Sequence, residues 1–152
     1  MQALELRIPP LALVLIAAGL MSLIAYFIPI DLPIPAPVIV AGTLGLAGSI
    51  VAIAGVVAFK EHKTTVNPFT PERSSSLVTS GIYKYTRNPM YLGFLLLLAG
   101  WAALLSNLFA LALLPAFIAY MNRFQIQPEE RALTQQFGTE FQAYMQRVRR
   151  WV

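Results

Sequence analysis

The sequence predicts an all-α integral membrane protein, with about four transmembrane helices and a C-terminal amphipathic helix. Three observations carry that prediction. Hydrophobic residues make up 57% of the 152 and charged residues 12%, about half the charged share of a soluble protein. The charges are clustered, with none between Arg7 and Asp31, between Asp31 and Lys60, or between Arg87 and Arg123. Each of those runs is long enough for the roughly 20 residues of a membrane-crossing helix. The third observation is the placement of all eleven basic residues, Arg7, Lys60, Lys63, Arg73, Lys84, Arg87, Arg123, Arg131, Arg147, Arg149 and Arg150. They fall in the N-terminal segment, the middle loop and the tail, as cytoplasmic loops require.

Composition also excludes. Without Cys there is no thiolate catalysis, disulfide or sulfur-ligated metal, and with one His, His62, no metal site is expected. The net charge of +4 and pI near 9.7 read as the charge bias of membrane loops, so nucleic acid is not an expected partner. A chain of this length forms one domain.

Taken in order, the first uncharged run gives a helix over 10–28; its apolar core is long for a secretory signal and no convincing small-residue cleavage site follows. Pro29, Pro33, Pro35 and Pro37 end it, since each lacks an amide donor and disfavours helical geometry in the residue before it. A second helix over 38–59 closes at Lys60-Glu61-His62-Lys63. Its Gly42, Gly45, Gly48 and Gly55 lack the spacing and preceding strand of a nucleotide loop, and at membrane depth they predict close helix packing. Residues 64–86 form the longest polar segment, with turn formers at Asn67-Pro68, Thr70-Pro71 and Ser74-Ser75-Ser76.

The uncharged run from Arg87 to Arg123 would measure roughly 50 Å as one helix, against a hydrocarbon core of about 30 Å. It therefore predicts a hairpin of helices over 89–105 and 108–123, turning at Ser106-Asn107. Pro89 takes the first turn of the third helix, and Pro115 kinks the fourth. From Gln125 the sequence turns polar, and 128–150 predicts a cytoplasmic amphipathic helix with Leu133, Phe137, Phe141, Tyr144 and Val148 as one apolar stripe. The closing Arg147-Val148-Arg149-Arg150-Trp151 predicts a basic, aromatic anchor at the membrane interface. Four spans place both termini on one side, and the charges make it the cytoplasmic side of the cell's inner membrane.

Two polar clusters then meet at the cytoplasmic ends of the hairpin: the stretch from Leu77 to Gly93 and that from Gln125 to Arg131. A site with one face in water and one in lipid suits one soluble and one lipophilic partner. Four pieces recur in order: Leu77-Val78-Thr79-Ser80-Gly81-Ile82-Tyr83, then Arg87-Asn88-Pro89-Met90-Tyr91-Leu92-Gly93, then Glu129-Glu130, then Phe137-Gly138 with Glu140-Phe141 and Tyr144. Together, over about the second half of the chain, they resemble the integral-membrane isoprenylcysteine carboxyl methyltransferase family and its phospholipid methyltransferase relatives, here as a prokaryotic member.

The resemblance implies a methyltransferase that uses S-adenosyl-L-methionine without a Rossmann domain and acts on a lipophilic or amphiphilic acceptor. It places cofactor contacts at Ser75, Ser76, Leu77, Val78, Tyr83, Asn88, Pro89, Met90, Tyr91 and Glu129, and a substrate contact at Gln125; Arg147, by its charge, is a further substrate-binding candidate, near either cofactor or substrate. Arg87 and Asn88 are the candidate catalytic residues. Asn88 stands where eukaryotic members have His, which removes a titratable group. Gln125 stands where they have Arg, which removes a bidentate partner for a carboxylate acceptor.

Read without the resemblance, Glu129 and Glu130 serve equally as acidic residues at a helix N-terminus. Arg87 is then a headgroup anchor, Tyr83, Tyr85 and Tyr91 are interface aromatics, and Arg147 is structural. Rival functions are a small four-helix transporter or a non-catalytic scaffold, although a transporter usually needs an ionisable residue inside a span.

Overall fold

Prolines open the helices. In the computed structural model, which describes residues 5–61 and 76–152, helices α1 (Pro10–Phe27), α2 (Pro37–Glu61) and α3 (Pro89–Leu105) each start at one. A first-turn amide has no intrahelical acceptor, so its loss there costs nothing. A 3-10 turn (Gly81–Lys84) precedes α3, and α4 (Leu108–Met121) follows it. A π turn (Asn122–Ile126) then leads into α5 (Gln127–Arg147). Among the described residues the extended pairing is a single bridge, Asp31 with Asn107.

Two helices, Pro10–Phe27 and Pro37–Glu61, and the continuous path Leu108–Arg147 are long and apolar enough to cross a membrane. Helix α3 has 17 residues and measures about 26 Å. The chain is a multi-pass helical membrane protein, as its composition predicts.

The α2–α3 contact is the most extensive in the fold. A Cβ at Gly48 would lie 2.7 Å from the Gly93 carbonyl oxygen, and one at Gly93 would lie 2.5 Å from that of Gly48. Farther along, a Cβ at Gly100 would meet the Ala41 oxygen at 3.0 Å, and one at Gly55 would meet Met90 and Pro89 at 3.0 and 3.1 Å. The expected small-residue packing is present at Gly48 and Gly55. Gly42 and Gly45 differ, since a Cβ on either would meet nothing within 4 Å. On the other side of α3, helices α1 and α4 close a core around Met21, Leu98, Ala102, Ala110 and Met121.

At the end of the bundle remote from the tail, Asn107 caps α4. Its Oδ1 accepts from the amides of Phe109 and Ala110 at 3.0 Å each, and its Nδ2 donates to Ile28 O at 2.8 Å. The predicted Ser106-Asn107 turn is thereby stitched to the loop after α1.

Three expectations about the C-terminal third require correction. The fourth helix does not stop before a separate α5, because the π turn carries the path through without a gap. Pro128 explains the local geometry: lacking an amide, it leaves the Phe124 carbonyl without its usual partner four residues on. The amide of Leu6, from the segment before α1, donates to that carbonyl at 3.0 Å. Next, α5 ends at Arg147 and breaks at Gly138, whose φ of 52° and ψ of −122° are open to glycine and strained for other residues. The proposed single stripe is therefore divided, with Phe141 and Tyr144 buried and Leu133 and Phe137 only half-buried. Third, Arg150 and Trp151 turn inward rather than standing as an interface anchor. The Trp151 indole donates to Asn122 Oδ1 at 3.0 Å and packs on the core.

Candidate active site

The polar cluster begins at the 3-10 turn. Gly81 takes a positive φ of 57°, and Tyr83 packs against Ala58 at the end of α2 and against Val78 just before the turn. The Phe59 ring meets the Tyr83 ring edge-on, with centroids 5.4 Å apart. From α5 the Tyr144 hydroxyl donates to Tyr83 O at 2.7 Å, fixing the turn against the C-terminal helix. Burial raises both phenols, Tyr83 well above its ordinary value and Tyr144 to about 12, so both stay neutral.

Residues 86–88 then run beside the tail. The Arg87 amide donates to Arg149 O at 3.0 Å. Thr86 Oγ1 and Asn88 Nδ2 donate to Arg150 O at 3.3 and 2.8 Å. The Arg87 guanidinium donates through Nη1 to the carbonyls of Met145 at 3.1 Å and Val148 at 2.6 Å, and through Nη2 to Glu130 Oε1 at 2.7 Å. Glu130 also receives Arg150, at 3.1 Å from Nε and 2.6 Å from Nη2. Arg87 is thus turned into the protein, its side chain 12% exposed, and holds the tail against the start of α3. Burial would raise the Glu130 carboxyl, but the Arg150 and Arg87 guanidiniums together hold it below the usual carboxylate range.

Glu129 has a different environment. Adjacent residues on a helix point about 100° apart, so while Glu130 faces the two arginines, Glu129 faces α3. There its Oε1 accepts a hydrogen bond from the Tyr91 hydroxyl. Among the described residues no Lys or Arg pairs with it. Burial pushes its carboxyl up to about 8, against the opposing effect of the Tyr91 hydrogen bond and with a further rise from the charge of Glu130. The result, among the described residues, is a half-buried glutamate whose carboxyl has a neutral phenol as its hydrogen-bond partner.

Of the expected cofactor contacts, Val78, Tyr83, Pro89 and Tyr91 are buried, and Ser76, Leu77, Asn88, Met90 and Glu129 are half-buried. The turn, the first residues of α3 and the start of α5 bring Tyr83, Tyr91 and Glu129 to one end of the bundle. Ser75 lies outside the described residues, as do His62, Lys63 and Arg73. The two expected substrate contacts, Gln125 and Arg147, differ in setting. Gln125 is fully buried in the π turn, its Nε2 donating to Ile8 O at 2.8 Å and its Oε1 unpartnered. Arg147 is exposed, and its Nε donates to Ala143 O in its own helix at 3.3 Å. Glu5, which sequence reasoning passed over, joins the N-terminal segment to the π turn and α5. It pairs with Arg123 at 2.8 Å and with Arg131, and no local pattern announces so distant a pairing. The roles of Glu130, Arg150 and Tyr144 had a usable signal, since an acidic pair and several arginines converge where the two polar clusters meet.

Helices long and apolar enough to cross a membrane, with buried polar groups gathered at one end of the bundle, define a multi-pass helical membrane protein. The comparisons specify its kind. The phospholipid methyltransferase family profile matches residues 37–140, and the chain belongs to that family. It is 31% identical over 109 residues to Protein-S-isoprenylcysteine O-methyltransferase B of Arabidopsis thaliana, covering 70% of this chain and 54% of the plant protein. It is 32% identical over 106 residues to a probable protein-S-isoprenylcysteine O-methyltransferase of Oryza sativa subsp. indica, covering 68% and 54%. The chain spans about half the length of these plant relatives. A 63-residue uncharacterized protein of Haemophilus influenzae is 44% identical over its whole length, 41% of this chain. No solved structure matches. Among the described residues no cluster of His, Cys, Asp and Glu could hold a metal ion.

Proposed function

We propose that this chain transfers a methyl group from S-adenosyl-L-methionine to a lipophilic or amphiphilic acceptor at the cytoplasmic face of the cell's inner membrane. The observation that carries the reading is the Glu129 carboxyl, desolvated, held by Tyr91 and without a cationic partner among the described residues. The donor bears a sulfonium and an ammonium group, so a buried carboxyl without countercharge fits it. Tyr83 and Tyr91 supply aromatic surface beside that carboxyl, and Asn88 supplies an amide at the first turn of α3.

When bound, the donor supplies an electrophilic methyl, whose bonding pair stays on sulfur as the acceptor's lone pair forms the new bond. The protein's residues bind, align and exclude water. None needs to act as a nucleophile, which accords with a chain lacking Cys. Asn88 donates and accepts hydrogen bonds but does not titrate, so its role is positioning. The plant relatives' names specify a prenylated cysteine; the acceptor here belongs to the wider class of molecules that reach the site from the bilayer. The eleven basic residues, in the segments expected at one membrane face, support cytoplasmic termini.

The test is calorimetric titration of the detergent-purified protein with S-adenosylmethionine, beside Glu129→Ala and Asn88→Ala. Saturable binding that is weaker in the Glu129 variant is expected. A folded parent protein that takes up no donor refutes the reading.

A further inference from the structure

The adjacent glutamates 129 and 130 divide the nearby positive charge unequally. Glu130 takes both guanidiniums, Arg87 at 2.7 Å and Arg150 at 2.6 Å, and those cations are spent on holding the tail. Glu129 receives one hydrogen bond, from the Tyr91 hydroxyl. Among the described residues, the titratable and charged groups that face it are Tyr91 from α3, Tyr83 from the 3-10 turn and its own neighbour Glu130. Among the described residues none of the three can offer it a positive charge. A desolvated carboxyl in such surroundings holds its proton until a cation arrives, and burial places this one in the protonated form near neutrality.

We propose that Glu129 is the residue by which this site distinguishes charged donor from spent donor: it ionises when the cationic donor binds and regains a proton when the neutral thioether is left. The inference rests on the methyltransferase reading and adds to it a selectivity and a proton balance. Donor binding releases the Glu129 proton to solvent, and the carboxylate pairs with the added positive charge. After transfer the spent donor carries one positive charge fewer, and the carboxylate keeps its Tyr91 hydrogen bond but loses that cationic partner. Taking up a proton then removes the desolvation cost of the bare anion, and the spent donor is held without the ionic contact. The same residue thus favours entry of the donor and release of the product.

The experiment is calorimetry on the full chain in detergent, titrating S-adenosylmethionine and S-adenosylhomocysteine separately in buffers of different ionisation enthalpy, for the parent and for Glu129→Gln. The dependence of the observed heat on the buffer gives the protons released. Near pH 6.5 the parent should release about one more proton with the donor than with the spent donor. It should also prefer the donor by roughly tenfold or more, the worth of a hydrogen bond to a charged group. In Glu129→Gln the extra proton should vanish and the preference should fall to within about threefold. The donor's own amino group contributes equally to parent and variant and cancels between them.

A parent that binds both compounds with equal affinity and equal proton release overturns this inference and leaves the methyltransferase reading standing. A parent that binds neither overturns both. Should Glu129→Gln fail to fold, Glu129→Ala takes its place in the same comparison.

Discussion

Gly93→Ala tests the packing on which the site is built. The added methyl would sit 2.5 Å from the Gly48 oxygen, 2.7 Å from the Ala52 Cβ and 2.8 Å from the Ala52 nitrogen. Nonbonded carbon atoms rest at about 3.5–4.0 Å, and two of the three obstructing atoms are backbone and cannot rotate away. The helices must therefore part by roughly 1 Å, and contacts at Gly48 and Gly100 loosen with them. Overpacking of this kind costs about 3 kcal/mol at its upper range, offset by about 1 kcal/mol of improved helix propensity on replacing glycine. The net expectation is a loss of about 2 kcal/mol, or roughly 4–8 °C in melting temperature for a domain of this size. Gly42→Ala is the matched control: it lies in the same helix as Gly48, with nothing within 4 Å of the new methyl. It should be neutral or slightly stabilising. Thermal unfolding of the two variants in one detergent makes the comparison. A Gly93→Ala protein as stable as Gly42→Ala would refute the close approach of α2 and α3.

Three further outcomes follow from the site. Arg87→Ala removes one of two cations on Glu130 and two hydrogen bonds from Nη1, to the carbonyls of Met145 in α5 and Val148 in the tail; Arg150 remains, so the cost should be about 2 kcal/mol rather than the 3–5 of a fully broken buried pair, and limited proteolysis should release the tail first. Stability of the ligand-free protein should fall as pH rises from about 5 to about 8. The folded Glu129 carboxyl titrates near 8 while the unfolded one is ionised above its ordinary value, so folding takes up a proton throughout that window. The slope from this group is about 1.4 kcal/mol per pH unit, and a melting-temperature difference between parent and Glu129→Gln that stays flat with pH would contradict it. Gly138→Ala should destabilise α5 by about 1 kcal/mol or more through its left-handed φ alone, since open space surrounds the position; circular dichroism during thermal melting checks this.

The helices were legible because lipid demands long uncharged runs, and prolines mark their starts. Pro10, Pro37 and Pro89 each begin a helix within a residue of the expected place. What the sequence concealed depends on partners far along the chain. Nothing local tells that Gly48 meets Gly93 while Gly42 meets nothing, because both read as small residues in a helix. The π turn was equally hidden: it rests on Pro128 freeing the Phe124 carbonyl and on Leu6, more than a hundred residues earlier, supplying the amide. Gly138 was noticed as part of a motif, but a lone glycine in a polar helix does not announce its positive φ, and so the break in α5.

Glu129 and Glu130 show most plainly where sequence reading ends. As a dipeptide they are two acidic residues at the start of a helix, and favourable placement there would suffice to explain both. The helical rotation of about 100° between neighbours separates their fates, sending one carboxyl to Arg87 and Arg150 and the other to Tyr91. Once two cations are committed to Glu130, the tail is anchored across residues 86–88, and the first turn of α3 is held beside the start of α5. That same commitment leaves Glu129 without a cation among the described residues, beside the buried phenols of Tyr83 and Tyr91. A structural ion pair and a receptive carboxyl thus arise from one pair of adjacent residues, and the first fixes the frame in which the second can act.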